Sequence, residues 1–454
     1  MIHNVRLVDV EKAELIEHQL VLLAGEQILA IVPERQLSLY SELPQLDGRG
    51  HYLTPALWDM HVHFEGRTLE QDNALLLPLY LAYGITAVRE AASNLAPVVL
   101  RWRDEIAAGR LLGPRIFTAG QKFEGINSLW DGDLEVGSQA EMLAGMDQLQ
   151  AQKVDFIKIT ENTMQPELYL STVREAQKRG LQVSAHVPYA LSIDELASAG
   201  LSSIEHASYL LRLGFADEAA VAAKVRAGQL SPAAAAVHYQ QGFNQQQALK
   251  GYARLAKAGV AVTPTLIGGQ QLAMLHHTDH SHDVFLTYLT KDFISNYQWR
   301  IDRMAGETPA QQLTRQQKEQ LIASQLPLLQ QAGVTLLAGS DSAALNTYVY
   351  PAQALHDELL LWQQAGMQSA DILRAATING ARFMGQGQYY GSVAAGKKAD
   401  LLLLSANPLQ DIAATRRLDS LIYKGKVYDR AALDQLLQRA AMQKQSLDLH
   451  RQQK

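Results

Sequence analysis

The chain has 454 residues, enough for a large α/β barrel or for two to three domains, and its 47% apolar and 19% charged content is that of an ordinary globular protein. A net charge of −6 without a basic stripe argues against a dedicated nucleic-acid binder. The absence of cysteine excludes disulfides, a thiol nucleophile and thiolate metal sites, so any metal must rest on histidine, carboxylate or modified lysine.

Residues 1–10 alternate as a strand does, unlike a charged n-region followed by an apolar block. Further short alternating strands are expected at 19–23 and 27–32, and with 5–10 they suggest a small β layer. The rhythm then changes. Apolar strands, each followed by a helix-like stretch, recur at 54–63, 85–89, 115–119, 154–160, 182–187, 203–207, 260–265 and 335–341. Eight such repeats predict an α/β fold of the (β/α)8 TIM-barrel type. Two long helical stretches, 211–258 and 283–331, are candidates for a lid. Short strands return at 391–393, 399–404 and 421–426, and an amphipathic helix over 430–446 places Leu433, Leu436, Leu437 and Met442 on one side.

Strands at both termini predict a composite β-sandwich domain, with 1–53 and 386–454 flanking a barrel over 54–385. The longest uncharged stretch, 73–88, is shorter than the ~20 residues of a membrane span and contains Pro78 and Gly84, so no membrane insertion is expected. The cytoplasm is the default location, or the periplasm where an upstream leader has been removed.

Barrel enzymes carry their sites at the C-terminal ends of the strands. The first strand ends in His61-Val62-His63, whose alternation points both imidazoles the same way. The fourth carries Lys158, the fifth ends in His186, the sixth in His206 and the eighth in Asp341. Alternation turns the Lys158 amine into the barrel, where burial disfavours its ammonium. Either a buried acid pairs with it, or the neutral amine adds carbon dioxide to give a carbamate able to bridge two metals. The five partners beside it favour the carbamate.

This set resembles the amidohydrolase superfamily, in the imidazolonepropionase-like and prolidase-like branch with a bridging carboxylated lysine. Matching segments include Gly84-Ile85-Thr86-Ala87-Val88-Arg89, Gly113-Pro114-Arg115-Ile116, Leu373-Arg374-Ala375-Ala376-Thr377-Ile378-Asn379-Gly380-Ala381, Gly391-Ser392-Val393 and Gly396-Lys397-Lys398-Ala399-Asp400-Leu401. Glu90-Ala91 departs from it, where relatives often carry Asp followed by Met or Gly.

The resemblance implies a binuclear hydrolase. His61, His63, Lys158 and Asp341 would hold the more buried metal, and Lys158, His186 and His206 the more exposed one. A metal-bridging hydroxide would attack, and Asp341 would be its catalytic acid–base partner. Zinc is the first choice from the N/O donors, with manganese or cobalt alternatives. The expected substrate is a small molecule with an amide-type C–N bond: a dipeptide such as Xaa-Pro, an N-acyl amino acid or a cyclic amide. The same centre would also suit an ester, a lactone or an organophosphate. A non-catalytic assembly barrel is disfavoured because no ligand is lost. No partner is expected beyond the small-molecule substrate, and a homo-oligomer is compatible with the sequence.

Arg89, Lys122, Tyr189 and Tyr209 follow strand ends and are candidate substrate contacts, with Asn162 and Tyr348 as further cleft candidates; Arg89 or Lys122 would suit a substrate carboxylate. The His-rich tract 276–283 reads as a polar surface loop, and His356 with Glu358 as a structural pair on a helix.

Overall fold

The computed structural model describes residues 1–453. Strands β1 (Ile2–Asp9), β2 (Glu14–Ala24) and β3 (Gln27–Pro33) form an antiparallel meander, and β4 (Leu46–Pro55) adds in parallel to β1. The segment expected as one strand from residue 54 breaks at Ala56. Its first residues end β4, and the barrel begins with β5 (Leu57–Val62).

The barrel continues with β6 (Ile85–Glu90) and β7 (Arg115–Thr118), then two short side strands, β8 (Phe123–Glu124) and β9 (Leu134–Glu135). It resumes with β10 (Ile157–Ile159), β11 (Val183–Ala185), β12 (Ser203–Glu205) and β13 (Ala261–Thr263), paired in parallel. Nearly every position of these strands is buried, as expected of a parallel sheet covered on both faces. The Asp155 amide donates to the Thr118 carbonyl at 2.9 Å and so joins the β7 side to the β10 side.

The eighth segment makes isolated bridges, not the regular ladder the sequence suggests: Val262 to Leu336 on one side and Val62 to Ser342 on the other. The Met60 amide donates to the Ala338 carbonyl at 2.8 Å, and the Asp341 amide to the His61 carbonyl at 2.7 Å. Gly339 is required at this seam. A Cβ there would lie 2.6 Å from Thr263 Cγ2 and 2.8 Å from the His61 nitrogen, so a side chain would push the closing segment off β5.

Beyond the barrel, β14 (Leu401–Leu404), β15 (Leu418–Tyr423) and β16 (Lys426–Tyr428) complete a seven-stranded sheet in the order β16-β15-β14-β4-β1-β2-β3. Both chain ends thus share one sheet, through the antiparallel register from Leu401 opposite Pro55 to Leu404 opposite Tyr52. Residues 391–393, expected as a strand, form none. The terminal helix runs Arg430–Gln452 and buries Leu433 and Leu436, but Met442 is 67% exposed, against expectation. Beyond Ala440 the helix is held mainly by polar contacts, with Asp448 accepting from the Lys291 amide at 3.0 Å and Arg451 donating to Asp72 at 2.6 and 2.8 Å.

His356 and Glu358, on the helix Gln353–Gln364, are structural as expected. Glu358 accepts from the Leu266 and Ile267 amides at 2.9 and 2.7 Å and from Trp362 Nε1 at 2.7 Å. His356 Nε2 donates to the Tyr83 carbonyl at 2.9 Å, and its Nδ1 lies 2.9 Å from Thr415 Oγ1, tying the barrel to the connection between β14 and β15. Burial lowers this imidazole from 6.5 to about 4. Between those values the unfolded chain binds a proton that the folded chain refuses, so stability falls as pH drops from 6.5 towards 4. A shift of this size corresponds to roughly 3 kcal/mol. Denaturant unfolding of His356→Gln across that pH window should therefore lose less stability than the wild type; parallel curves would show that the ring is not buried neutral.

Candidate metal centre

Six side chains from five barrel strands meet where the strands end. Among them His61, His63 and Asp341 each offer a donor atom within 4.8 Å of the other two, as a metal site requires. His63 Nε2 lies 3.2 Å from Asp341 Oδ1, and His61 Nε2 lies 3.4 Å from the same oxygen. Across the mouth, His186 Nε2 and His206 Nε2 are 2.9 Å apart. Lys158 lines the same cavity as members of both groups. Its Nζ is buried and has no hydrogen-bond partner among the described residues. Burial, helped by the Arg89 charge, lowers its ammonium to about 8 against the pull of Glu205 and Asp341. All but His61 line one cavity of about 190 Å³.

Each imidazole is held by its Nδ1. His61 Nδ1 meets a Glu205 oxygen at 2.8 Å, His63 Nδ1 the Ala92 carbonyl at 2.7 Å, His186 Nδ1 a Glu161 oxygen at 2.8 Å and His206 Nδ1 the Thr265 hydroxyl at 2.6 Å. Carboxylates and carbonyls only accept, so the first three rings must donate from Nδ1. When these rings are neutral, their Nε2 lone pairs face inward, where they crowd His61 against His63 at 3.3 Å. Protonation does not relieve this for His61 or His206. Burial and the Lys158 charge hold His61 down to about 4, and burial and His186 hold His206 well below the ordinary value. Converging lone pairs of this kind are the donor set of a cation. The residues therefore fit a divalent metal.

Asp341 supplies the negative charge. Burial would raise its carboxyl, but His61 and His63 hold it well below the usual carboxylate range. The same pairing raises His63 despite burial. Beneath the site, Glu205 accepts from both Ser184 Oγ and Ser203 Oγ at 2.6 Å and takes Arg89 Nη2 on both oxygens at 2.8 Å. Arg89 and His61 hold this carboxylate well below its usual range against the effect of burial.

The backbone is unusual at the same places. Ala92, His206, Thr265 and Asp341 all have positive φ, between 48° and 104°, costing about 1–3 kcal/mol each. The turn at His206 (φ 72°) allows consecutive residues, Glu205 and His206, both to serve the centre although a strand would send them to opposite faces.

The structure corrects several expected substrate contacts. Arg89 does not face the cleft. It is buried under the centre, donating to the Met60 carbonyl at 2.7 Å and to Thr263 Oγ1 at 3.0 Å as well as to Glu205, because a guanidinium there compensates a buried carboxylate. Tyr189 stacks on Tyr239 with 6.0 Å between ring centres and lies against Arg212, lining a separate cavity of about 430 Å³. Tyr209 lines that cavity too, and its hydroxyl donates to Glu161 behind His186. Asn162 is turned to Glu124 at 2.9 Å, and Tyr348 stacks on His280 at 3.9 Å. His280 is consequently buried, unlike the surface residue expected of its tract. Lys122 does reach the cleft, where Asp133 at 3.2 Å already pairs with it.

Glu205, Glu161 and Thr265 are contacts that sequence reading missed. Alternation of Ser203 and Glu205 on an inward face is the signal for the first; Glu161 and Thr265 act from loops, which have no such period. The divergent Glu90 is buried and accepts from Thr118 Oγ1 at 2.6 Å, with burial raising its carboxyl to about 7.

A family model described as the amidohydrolase family matches residues 52–428. Among solved structures, a bottromycin amidohydrolase is similar over 97% of this chain and 89% of its own, with TM-score 0.74 and 21% identity. A Xaa-Pro dipeptidase with methionine bound in its active site is similar over 94% and 99%, with TM-score 0.68 and 20% identity. A prolidase complexed with N-methylphosphonate-L-proline covers the same shares at TM-score 0.65 and 20% identity. No curated protein matches the sequence. The match over most of the chain, on a barrel whose strand ends gather four histidines, a lysine and an aspartate, places this protein in the amidohydrolase family.

Proposed function

We propose that the protein is a metal-dependent hydrolase of amide-type C–N bonds in a small substrate such as a dipeptide, an N-acyl amino acid or a cyclic amide. The observation that carries this reading is the inward convergence of imidazole Nε2 atoms whose Nδ1 atoms are all engaged. His61, His63 and Asp341 would hold one divalent cation and His186 with His206 a second, with Lys158 between them as a bridging carbamate. Zinc is the first choice for such donors. Bound there, the cations would acidify a water towards neutral pH and polarise the substrate carbonyl.

The chain itself does the rest. Ionised Asp341 accepts the proton of the attacking water and delivers it to the departing nitrogen, which otherwise leaves as an unstable anion. Buried and partnerless, the Lys158 amine is suited to carbon dioxide addition, which requires the neutral form. Glu205 and Glu161 keep His61 and His186 in the tautomer that presents Nε2. The resemblance to dipeptidase and prolidase structures supports an amide substrate. An ester, lactone or phosphotriester is the alternative outcome of the same assay.

The deciding assay compares dipeptides, N-acyl amino acids and cyclic amides with lactones and phosphotriesters on metal-loaded protein. Hydrolysis of the C–N substrates, lost on exhaustive chelation and regained with zinc, manganese or cobalt, is expected. Turnover that survives complete chelation would sink the metal reading.

Lys158→Ala should lose most activity and about one equivalent of metal, and millimolar short carboxylates should partly restore both by replacing the carbamate oxygens. Full metal occupancy and turnover in that variant would remove the bridge.

Asp341→Asn, nearly isosteric, should remain folded yet turn over at least ~100-fold more slowly, because a positioned acid–base group contributes about 10²–10⁴. Turnover near that of wild type in metal-replete Asp341→Asn would assign proton transfer elsewhere.

A further inference from the structure

One cation in the cleft has no acid beside it. Arg300 comes from the helix Gln298–Met304, within the long segment between β13 and the closing segment, and lines the cavity together with Lys158 and Asp341. Its Nε donates to the Leu345 carbonyl at 3.0 Å and its Nη2 to Asn346 Oδ1 at 2.6 Å. Neither acceptor carries a charge. Among the described residues no carboxylate lies within 4.0 Å of it, although Glu65 and Asp341 line the same cavity. Lys122, the other cation there, is already paired with Asp133 at 3.2 Å. Burial lowers the Arg300 pKa against the more distant pull of Asp341 and Glu65.

The guanidinium is also placed rigidly. Asn346 Nδ2 donates to the Asp341 carbonyl at 2.6 Å, so the chain Arg300–Asn346–Asp341 fixes the cation relative to the metal centre. Trp299 Nε1 donates to the same Leu345 carbonyl at 3.2 Å, and its ring sits 4.7 Å from the guanidinium carbon. Trp130 closes over from the opposite loop, edge-on to Trp299 with 6.1 Å between ring centres. A partly desolvated, fixed guanidinium without a directly paired carboxylate is a receptor for an anion, and its Nη1 group and second Nη2 hydrogen remain to meet a carboxylate.

We propose that Arg300 reads a carboxylate on the substrate, so that the molecules processed here are acids whose carboxylate lies a few bonds from the scissile group. This rests on the hydrolase reading for the meaning of "scissile", but the anion subsite itself is testable by binding alone. A dipeptide or an N-acyl amino acid satisfies it; a neutral cyclic amide does not.

The test pairs each N-acyl amino acid and dipeptide of a panel with its own C-terminal carboxamide. Binding to the metal-loaded protein is followed by quenching of tryptophan fluorescence, since Trp130 lines the cleft, and hydrolysis is measured in parallel. Wild type should bind the acid roughly 10- to 100-fold more tightly than the amide, the range expected for a charge-assisted pair. Arg300→Met should abolish that preference while leaving metal content and amide binding within about threefold, and Arg300→Lys should restore part of it. Equal preference for the acid in wild type and Arg300→Met, or no preference in wild type, overturns the proposal. Preference of the expected kind without hydrolysis of any panel member would keep the anion subsite and discard the reading of C–N bond hydrolysis.

Discussion

The centre depends on Glu205 being a charged group in a fully buried place. Its carboxylate is fully buried and is supportable only because Arg89, Ser184, Ser203 and His61 surround it. Removing either member of such a pair typically costs about 3–5 kcal/mol, because the remaining charge has no other partner. What this arrangement gains is orientation. Glu205 fixes the hydrogen of His61 on Nδ1, and the Ala92 carbonyl and Glu161 do the same for His63 and His186. The inward Nε2 face of the site is therefore set from behind, through the Nδ1 atoms.

The backbone follows the same logic. A barrel strand delivers alternate residues inward, which is too sparse to gather six donors at one strand-end cluster. The left-handed turns at His206 and Asp341 add donors that alternation would deny, and Gly339 lets the closing segment approach His61 closely enough for Asp341 to reach His63. These positions are costly in isolation. They are tolerated where packed, hydrogen-bonded neighbours leave no alternative, as the Asp341 amide bond to the His61 carbonyl illustrates.

Much of this was legible in the sequence. Apolar runs separated by helical stretches announced the barrel, and polar residues ending those runs named His61, His63, Lys158, His186, His206 and Asp341, which the structure gathers. Arg89 shows where that reasoning fails. A strand-end cation reads the same whether it looks out into the cleft or down into the barrel, and only the position of Glu205, 116 residues away, decides. Tyr189 and Tyr209 line a cavity that the helical segment after β12 helps to build, a placement their positions after strand ends do not reveal. Arg300 was invisible for a related reason. It lies in a helical stretch with no strand to fix its direction, and its lack of an acidic partner is a property of the folded cleft alone.

The donors that suit a metal and the groups that bound the outer cleft consequently come from different parts of the chain. The donors that suit a metal lie on barrel strands or within a residue or two of their ends, and their geometry is tied to the closure of the barrel. The cation, the indoles and the amide that bound the outer cleft lie on the loop before β9, on the segment after β13 and on the loop after the closing segment. Loop-borne groups can change without disturbing strand register, so a centre of this kind can serve different acyl and leaving groups while its inner donors stay put. In this chain the two layers meet at one residue. Asp341 faces the histidines with its carboxylate and holds Asn346, and through it Arg300, with its carbonyl. Any shift of the outer cleft large enough to move the guanidinium must therefore pull on Asp341, which ties the outer cleft to the histidine cluster.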